Sequence, residues 1–357
     1  MNRLKALPIR LIEVEGGIII KRGRTELKIG GEYASQIVQT VLASAATDEG
    51  ATREEILESF APSSKPAITH LVDQLLAQRL LVPLDSGQDS LLLSDQETPL
   101  DIFYWHYGQT ASRVSRSLNL CRFSIVGVNY ISRQLVMSLT ESGVTNIQVV
   151  DHPLLRNLRL FDKKQRLNFD YWPSTIGPPQ PWAETLQDEL ADCLVATTDF
   201  GNTPLLHDIN RFCVKAERHF LPIVLQDHVG YIGPLVIPGE TACFECLRTR
   251  QRSHDFSTTN QWPQEESAFA CQDIVGFHPS MASILGDLAA VELTQFYSGA
   301  WPKKRAGTLI EINLCETQLL QRNVLKIPRC VVCSPLVKRP SMAVRKTPFV
   351  SRGKPTA

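Results

Sequence analysis

The amino-acid sequence predicts an α/β protein with a small first domain and a larger second one. Three short strand-like segments and three amphipathic helices occupy the first 85 residues. From residue 122 onward, apolar strands of the fully buried type alternate with amphipathic helices, which is typical of a mostly parallel sheet with right-handed crossovers. The 357 residues are enough for two or three domains.

The first domain is predicted from glycine-punctuated strands followed by helices. The expected elements are, in order, strands at residues 9–14, 17–21 and 26–29, helices at 33–45, 52–60 and 64–76, and a strand at 80–84. Thr52 and Glu55 have the spacing of a capping box at the start of the second helix. This order of elements predicts a winged-helix domain over residues 1–85.

The rest of the chain divides by composition and periodicity into a connector at 86–120, an α/β domain at 121–335 and a tail at 336–357. The tail is basic, rich in proline and poor in large apolar residues, so we expect it to be disordered. The expected elements of the α/β domain are strands at 122–126, 146–150, 193–197 and 223–226, and helices at 131–142, 205–217 and 282–297.

Composition excludes several classes of protein. The 37 basic residues are balanced by 37 acidic ones, which argues against a protein that mainly grips nucleic-acid phosphates. No apolar run approaches the roughly 20 residues that span a bilayer. Lys5, Pro8 and Arg10 interrupt the first apolar stretch, so no secretory signal is expected and the predicted location is the cytoplasm.

Two Cys-x-x-Cys pairs, Cys243 with Cys246 and Cys330 with Cys333, predict a metal centre. Two such turns supply four thiolates for a closed tetrahedral zinc site, which leaves no position for water and is therefore structural. The alternative is two separate redox or buried cysteine pairs. Cys271, in a polar stretch, is the remaining candidate for a reactive thiol.

The segment from Gly230 to Cys246, which reads GYIGPLVIPGETACFEC, closely resembles the corresponding segment of the ubiquitin-activating (ThiF/MoeB-like) superfamily. His278-Pro279-Ser280 and the helix after it are similar to a later segment of that family. The resemblance implies a Rossmann-like ThiF-type domain. Because a winged-helix domain precedes it, the chain is similar to the peptide-modifying branch of the superfamily. In that branch the amino-terminal domain recognises the leader of a ribosomally made precursor peptide. The implied partners are that leader, a YcaO-type cyclodehydratase and a second copy of the chain.

The same resemblance implies where a nucleotide would bind, and this sequence departs from the family pattern there. Gly127 retains the first glycine of the GxGGxG turn, but Asn129 stands at a later glycine. Asp151 matches the ribose-binding acid, Asn157 an asparagine near the triphosphate, and Asp199 the magnesium-binding acid. Bulky or apolar residues stand at other positions of the pattern: Tyr130, Pro153, Leu160, Phe200 and Pro204. We therefore expect a degenerate nucleotide site and no ATP, although a divergent working site remains an alternative.

An extended peptide requires a free strand edge and a neighbouring apolar groove. The strand at residues 25–29 and the third helix offer both, and the candidate peptide-binding residues are Arg24, Leu27, Lys28, Ile29, Leu71 and Leu75. Each of the four leucines and isoleucines is also compatible with a plain core position.

The leading hypothesis is a non-catalytic adaptor that captures a leader peptide and delivers the precursor to a cyclodehydratase, which forms thiazole or oxazole precursors. The alternatives are an ATP-dependent enzyme that adenylates a peptide carboxylate and a zinc-stabilised transcription factor.

Overall fold

The computed structural model describes residues 3–47, 49–84, 98–173, 177–182, 191–200, 203–254, 276–299 and 306–336. The chain forms two compact units, Met1–Val114 and Ser115–Ala357. Within the described residues, no helix has the length and apolar character needed to cross a membrane. The predicted tail at 336–357 lies outside the described residues except for Leu336, and Cys271 and part of the predicted connector lie outside them as well.

The first unit contains two antiparallel sheets and a set of helices. Its elements are β1 (Arg3–Ala6), β2 (Arg10–Val14), β3 (Gly17–Arg22), β4 (Thr25–Gly30), α1 (Ala34–Ser44), α2 (Arg53–Glu58), α3 (Lys65–Ala77), β5 (Leu81–Leu84) and α4 (Pro99–His106). Strands β2, β3 and β4 form one sheet in that order, and β1 pairs with β5 in the other. α5 (Ala111–Asn119) follows at the boundary of the two units.

The core of the first unit lies between the three-stranded sheet and the helices. Ile18 and Ile20 of β3 are fully buried, as are Ile56 of α2 and Leu75 of α3. Trp105 of α4 belongs to the same cluster. The apolar stripes of these helices and strands therefore close on one another, and α4 extends the unit beyond the winged-helix domain expected at 1–85.

The second unit is built on one eight-stranded sheet. Its elements are β6 (Phe123–Val126), α6 (Tyr130–Glu141), β7 (Ile147–Asp151), β8 (Gln180–Pro181), β9 (Cys193–Thr198), α7 (Thr203–Lys215), β10 (His219–Gln226), β11 (Val229–Ile232), α8 (Phe244–His254), α9 (Pro279–Ser298), β12 (Thr308–Asn313) and β13 (Gln318–Asn323). The strand order is β13-β12-β11-β10-β9-β6-β7-β8.

The sheet is parallel in one half and antiparallel in the other. The pairs from β8 through β7, β6 and β9 to β10 are parallel, whereas β10, β11, β12 and β13 pair antiparallel. All residues of β6 and β9 are buried, as expected for central parallel strands covered on both faces. The chain leaves β6 towards β7 and leaves β9 towards β10, so the topological switch point lies between β6 and β9.

Close helix packing covers the sheet near the switch point. α9 crosses α6 where it has Gly286, and a Cβ at that glycine would lie 2.8 Å from the backbone nitrogen of Leu135. α7 and α8 join a buried cluster with residues of β6, β7, β9 and β10. The central strands β6 and β9 are buried along their whole length.

The α/β class predicted from the sequence is confirmed, and the parallel half of the sheet contains the predicted strand–helix–strand repeats. β1 and the final antiparallel strands were not among the elements derived from periodicity, and two helices, α4 and α5, lie within the predicted connector. The winged-helix classification and the domain boundaries at 85, 120 and 335 stay predictions.

Candidate functional site

The residues predicted to form the degenerate nucleotide site meet at one edge of the sheet. Gly127 follows β6, Asp151 ends β7 and Asp199 follows β9. These strands are parallel neighbours, so their carboxyl ends lie side by side. Ligands of open α/β sheets bind at this edge, at the switch point, so this edge is the candidate binding position.

The turn between β6 and α6 is filled by an asparagine side chain. Gly127 has a φ of +116°, and a Cβ there would lie 2.6 Å from the carbonyl oxygen of Thr197, so only glycine fits. Two residues on, Asn129 is fully buried. Its Nδ2 donates to Thr197 O at 2.8 Å and to Leu155 O at 3.2 Å. The side chain thus ties the ends of β6 and β9 together.

Asn129 also caps α6. Its Oδ1 accepts from the backbone N–H of Ser132 at 3.0 Å, and its own N–H donates to Ser132 Oγ at 3.0 Å. This reciprocal arrangement is a capping box, which satisfies donors that a helix otherwise leaves open in its first turn. Those donors are the groups that an anion would use at a helix N-terminus.

Asp199 occupies another donor of the same turn. Its Oδ2 accepts from the backbone N–H of Tyr130 at 3.1 Å and from Asn157 Nδ2 at 2.9 Å. The carboxyl group is fully buried, and burial raises its pKa to about 6 although both hydrogen bonds oppose the rise. Oδ1 has no hydrogen-bond partner among the described residues. The protein's own carboxylate therefore takes the place of an anion at the start of α6.

Asp151, predicted as the ribose-binding acid, is held by an arginine. Arg156 donates to both of its carboxylate oxygens at 2.7 Å, the bidentate geometry of a strong charge-assisted pair. The same guanidinium lies over the ring of Phe161, 4.8 Å from its centroid. Asp151 and the nearby cation thus satisfy each other.

The four cysteines of the predicted metal centre form one cluster. Their sulfurs all lie within 4.8 Å of one another. The Cys243–Cys330 and Cys246–Cys333 sulfur distances are 3.6 and 3.5 Å, and the Cys243–Cys246 distance is 3.8 Å. A tetrahedral zinc with bonds of about 2.3 Å to sulfur separates its ligands by about 3.8 Å. The cluster can hold a metal ion, and its all-sulfur donor set suits zinc.

Of the predicted peptide-binding residues, those on and beside β4 are accessible and those on α3 are not. Leu27 and Ile29 are half-buried against the core, while Arg24 and Lys28 are exposed. β4 pairs only with β3 in the described part of the chain. By contrast, the side chains of α3 assigned to the peptide belong to the core: Leu71 and Leu75. Leu75 has no surface with which to contact a peptide.

Several residues of these sites were missed by sequence reasoning. The contact of Ser132 could have been predicted from the sequence, because Ser132 lies three residues after Asn129, which is the spacing of a capping box. No sequence pattern predicts the contacts of Arg156 and Thr197, because these contacts depend on how the strand ends converge. Tyr33, which is 61% exposed just after β4, is the first residue of the helix predicted at 33–45, and that pattern does not indicate a role in peptide binding.

No family model matches this sequence. Solved structures do resemble it. E. coli MccB with ATP is 16% identical, with 93% of this chain and 99% of that chain covered and a TM-score of 0.64. The microcin C7 biosynthetic enzyme MccB in complex with N-formylated MccA is 16% identical over 94% of this chain and 100% of that one, with a TM-score of 0.66.

The heterocyclase TruD is also similar, at 18% identity and a TM-score of 0.59. The match covers 94% of this chain but 43% of TruD. At these levels of identity the likeness establishes the fold. The chain thus has the fold of MccB over almost its whole length. It matches less than half of the length of TruD.

Proposed function

We propose that this chain is a peptide-binding adaptor that does not activate its peptide with ATP. The observation that carries the proposal is the closed first turn of α6, where Asn129 and Asp199 accept from the backbone N–H groups of Ser132 and Tyr130. Transfer of a nucleotidyl or phosphoryl group needs such donors and cations free to stabilise charge on the phosphates. Here the N–H groups of Tyr130 and Ser132 and the guanidinium of Arg156 are engaged within the protein.

The peptide would bind as an added strand along β4. Strand addition satisfies the edge N–H and C=O groups of both chains, and alternate side chains give selectivity. Leu27 and Ile29 would contact apolar residues of the peptide, and Lys28 and Arg24 would favour an acidic one. Tyr33, exposed beyond the end of β4, extends this surface. Leu71 and Leu75 would support it from within the core.

The resemblance noted above suggests the chemical setting. A ribosomally made precursor would supply the peptide as its leader segment, and a YcaO-type cyclodehydratase would modify the rest. The α/β unit would serve docking to that enzyme and pairing with a second copy of this chain. The similar structures fit this setting, because one is a heterocyclase and another is a biosynthetic enzyme in complex with N-formylated MccA.

A second candidate function is adenylation of a peptide carboxylate by this chain. It is favoured by the fold shared with E. coli MccB, which has been crystallised with ATP. The Oδ1 of Asp199, which has no hydrogen-bond partner among the described residues, lies at the switch point and is a group that a magnesium ion could still use. The two candidates differ in a single measurable step, the ATP-dependent activation of the peptide.

The test uses the full chain and labelled synthetic copies of short peptides encoded by reading frames next to its gene, screened as candidate precursors. We expect saturable binding by fluorescence anisotropy without ATP, and no exchange of labelled pyrophosphate into ATP above background. Arg24→Glu with Lys28→Glu should weaken binding at least tenfold, about 1.4 kcal/mol, because both positive charges next to β4 are reversed.

The matched control is Arg10→Glu, which reverses an exposed charge on β2, the other edge strand of the same sheet. If the control and the double variant lost the same amount of peptide affinity, β4 would not be the edge that binds the peptide. Peptide-dependent pyrophosphate exchange would favour the adenylating enzyme instead.

For the cysteine cluster we propose a structural zinc ion. Four sulfur ligands leave no open coordination position, so the ion would carry no catalytic water. The ion would join the turn before α8 to the segment after β13, which are far apart in sequence.

A further inference from the structure

Side chains of α7 hold the first cysteine turn of the metal cluster in place. Asn210 is fully buried, and its Oδ1 accepts from the backbone N–H of Phe244 at 3.1 Å. Phe244 follows Cys243 directly and is the first residue of α8. The hydrogen bond therefore fixes the backbone between the first ligand and the helix that carries the second.

A second contact from α7 holds the residue between the two ligands. His207 Nδ1 donates to Glu245 Oε2 at 2.6 Å, and both side chains are largely buried. The His207 ring also packs against the ring of Phe244, with centroids 5.1 Å apart. Glu245 is thereby held by a partner on another element, while Cys243 and Cys246 on either side of the turn contribute their sulfurs to the cluster.

The negative charge of the metal cluster explains why the Glu245 carboxylate needs the hydrogen bond from His207. A zinc ion with four thiolates carries a formal charge of −2, and the Glu245 carboxylate lies one residue from Cys246 and two from Cys243. A carboxylate beside a negatively charged cluster needs a donor that compensates its own charge, and the N–H group of His207 supplies one. The hydrogen bond from His207 ties it to α7.

We infer that His207 and Asn210 are positioning residues of the metal centre, which fix the first Cys-x-x-Cys turn in the geometry that binds the ion. The inference rests on the zinc ion proposed above. Groups that orient metal ligands affect how tightly the metal is held, and their loss costs roughly 10- to 100-fold in affinity. Neither residue touches a sulfur directly in the contacts described, so each acts through the backbone or side chains of the turn.

The experiment measures the rate at which the zinc-loaded full chain releases zinc to a chelating dye. His207→Ala, Glu245→Ala and Asn210→Ala should each release zinc roughly 10- to 100-fold faster. His207→Asn, which keeps a donor near the place of Nδ1, should restore most of the retention. Arg211→Ala, an exposed change on α7, is the matched control and should leave the rate unchanged.

The double variant His207→Ala with Glu245→Ala tests whether faster zinc release comes from the loss of this hydrogen bond or from a general destabilisation of the fold. If the bond itself holds the turn, the double variant releases zinc no faster than either single one. A structural role alone would lower the unfolding temperature of the zinc-loaded and zinc-free chains equally, whereas a positioning role lowers only the zinc-loaded value.

Release rates within twofold of the parent in all three alanine variants would overturn the inference while leaving the zinc site intact. A parent chain that contains no metal would overturn the zinc centre and the inference together. Should His207→Ala not fold, Glu245→Ala breaks the same hydrogen bond from the acceptor side, and an unchanged rate there would count against the inference equally.

Discussion

At the scale of single residues, the clearest feature is that Asn129 performs two tasks with one amide. It caps α6 through Ser132 and bridges to the carbonyl oxygen of Thr197 on β9. A glycine at this position would leave the same donors of the first turn open to a ligand. The side chain that satisfies the helix is thus the one that closes the candidate nucleotide position.

Asp199 gives a pH-dependent prediction. Burial raises its pKa to about 6, so between pH 4 and 6 the folded chain holds a proton that the unfolded chain has lost. Its contribution to the free energy of unfolding is therefore largest below pH 4 and falls by about 3 kcal/mol as the pH rises through 6. Asp199→Asn should remove this fall.

The measurement is the difference in unfolding free energy between parent and Asp199→Asn, from urea denaturation between pH 4.5 and 7.5. We expect the parent to lose stability relative to the variant as the pH rises. A difference that stays flat or grows in the parent's favour would show that the hydrogen bonds from Tyr130 and Asn157 outweigh burial.

The sequence identified the residues at the strand ends but not their contacts. Asp151 and Asp199 lie at the carboxyl ends of β7 and β9, because a parallel sheet brings the ends of its strands to one edge. Arg156 could not be assigned to Asp151 from spacing, since the pairing depends on the path of the loop after β7. Leu71 and Leu75 fit a helical stripe, but a stripe does not distinguish a core face from a groove.

At the scale of elements, the crossing of α6 and α9 depends on one glycine. Gly286 lets the helices approach until its hypothetical Cβ would lie 2.9 Å from Ile131 O. A methyl group there would force the helices apart. Such overpacking costs about 1–3 kcal/mol, against about 1 kcal/mol that alanine gains over glycine in a helix.

We therefore predict that Gly286→Ala lowers the free energy of unfolding, by roughly 1 kcal/mol net, as measured by urea denaturation. The control is Gly276→Ala, because no atom of the described residues lies within 4 Å of the Cβ added at that glycine. Equal stability of the two variants would mean that the helix crossing tolerates the extra carbon.

Helices and strands with a clear hydrophobic pattern could be predicted from the sequence, whereas those without one could not. β6 and β9 are short fully buried runs, and α6 and α7 have clear apolar faces. β1 has only four residues and gains its place by pairing with β5, a contact distant in sequence. β13 is exposed along its length, so no alternation marks it.

At the scale of the whole molecule, the cysteine cluster joins the segment after β13 to the α/β unit. Hydrogen bonds from Arg250 of α8 to the carbonyl oxygens of Leu325 and Lys326 support the same junction. The backbone N–H of Ile327 also donates to the sulfur of Cys246 at 3.4 Å. A metal ion would add four bonds to this junction.

Removing two ligands should therefore release the ion and loosen the unit. Cys330→Ser with Cys333→Ser is expected to abolish bound zinc and to lower the unfolding temperature by about 10 °C, which corresponds to about 3–5 kcal/mol for a unit of this size. Elemental analysis and thermal denaturation measure the two effects. Cys315→Ser, at an exposed cysteine outside the cluster, should change neither, and metal retained by the double variant would contradict a shared site.

The central proposal is that Asn129 and Asp199 take up the N–H groups at the start of α6 that a phosphate would otherwise use. Titration calorimetry of the full chain with ATP and magnesium tests it most directly. We predict no saturable heat up to about 1 mM ATP. Saturable binding in the micromolar range that is lost in Asp199→Ala would contradict the claim and place a working nucleotide site at the start of α6.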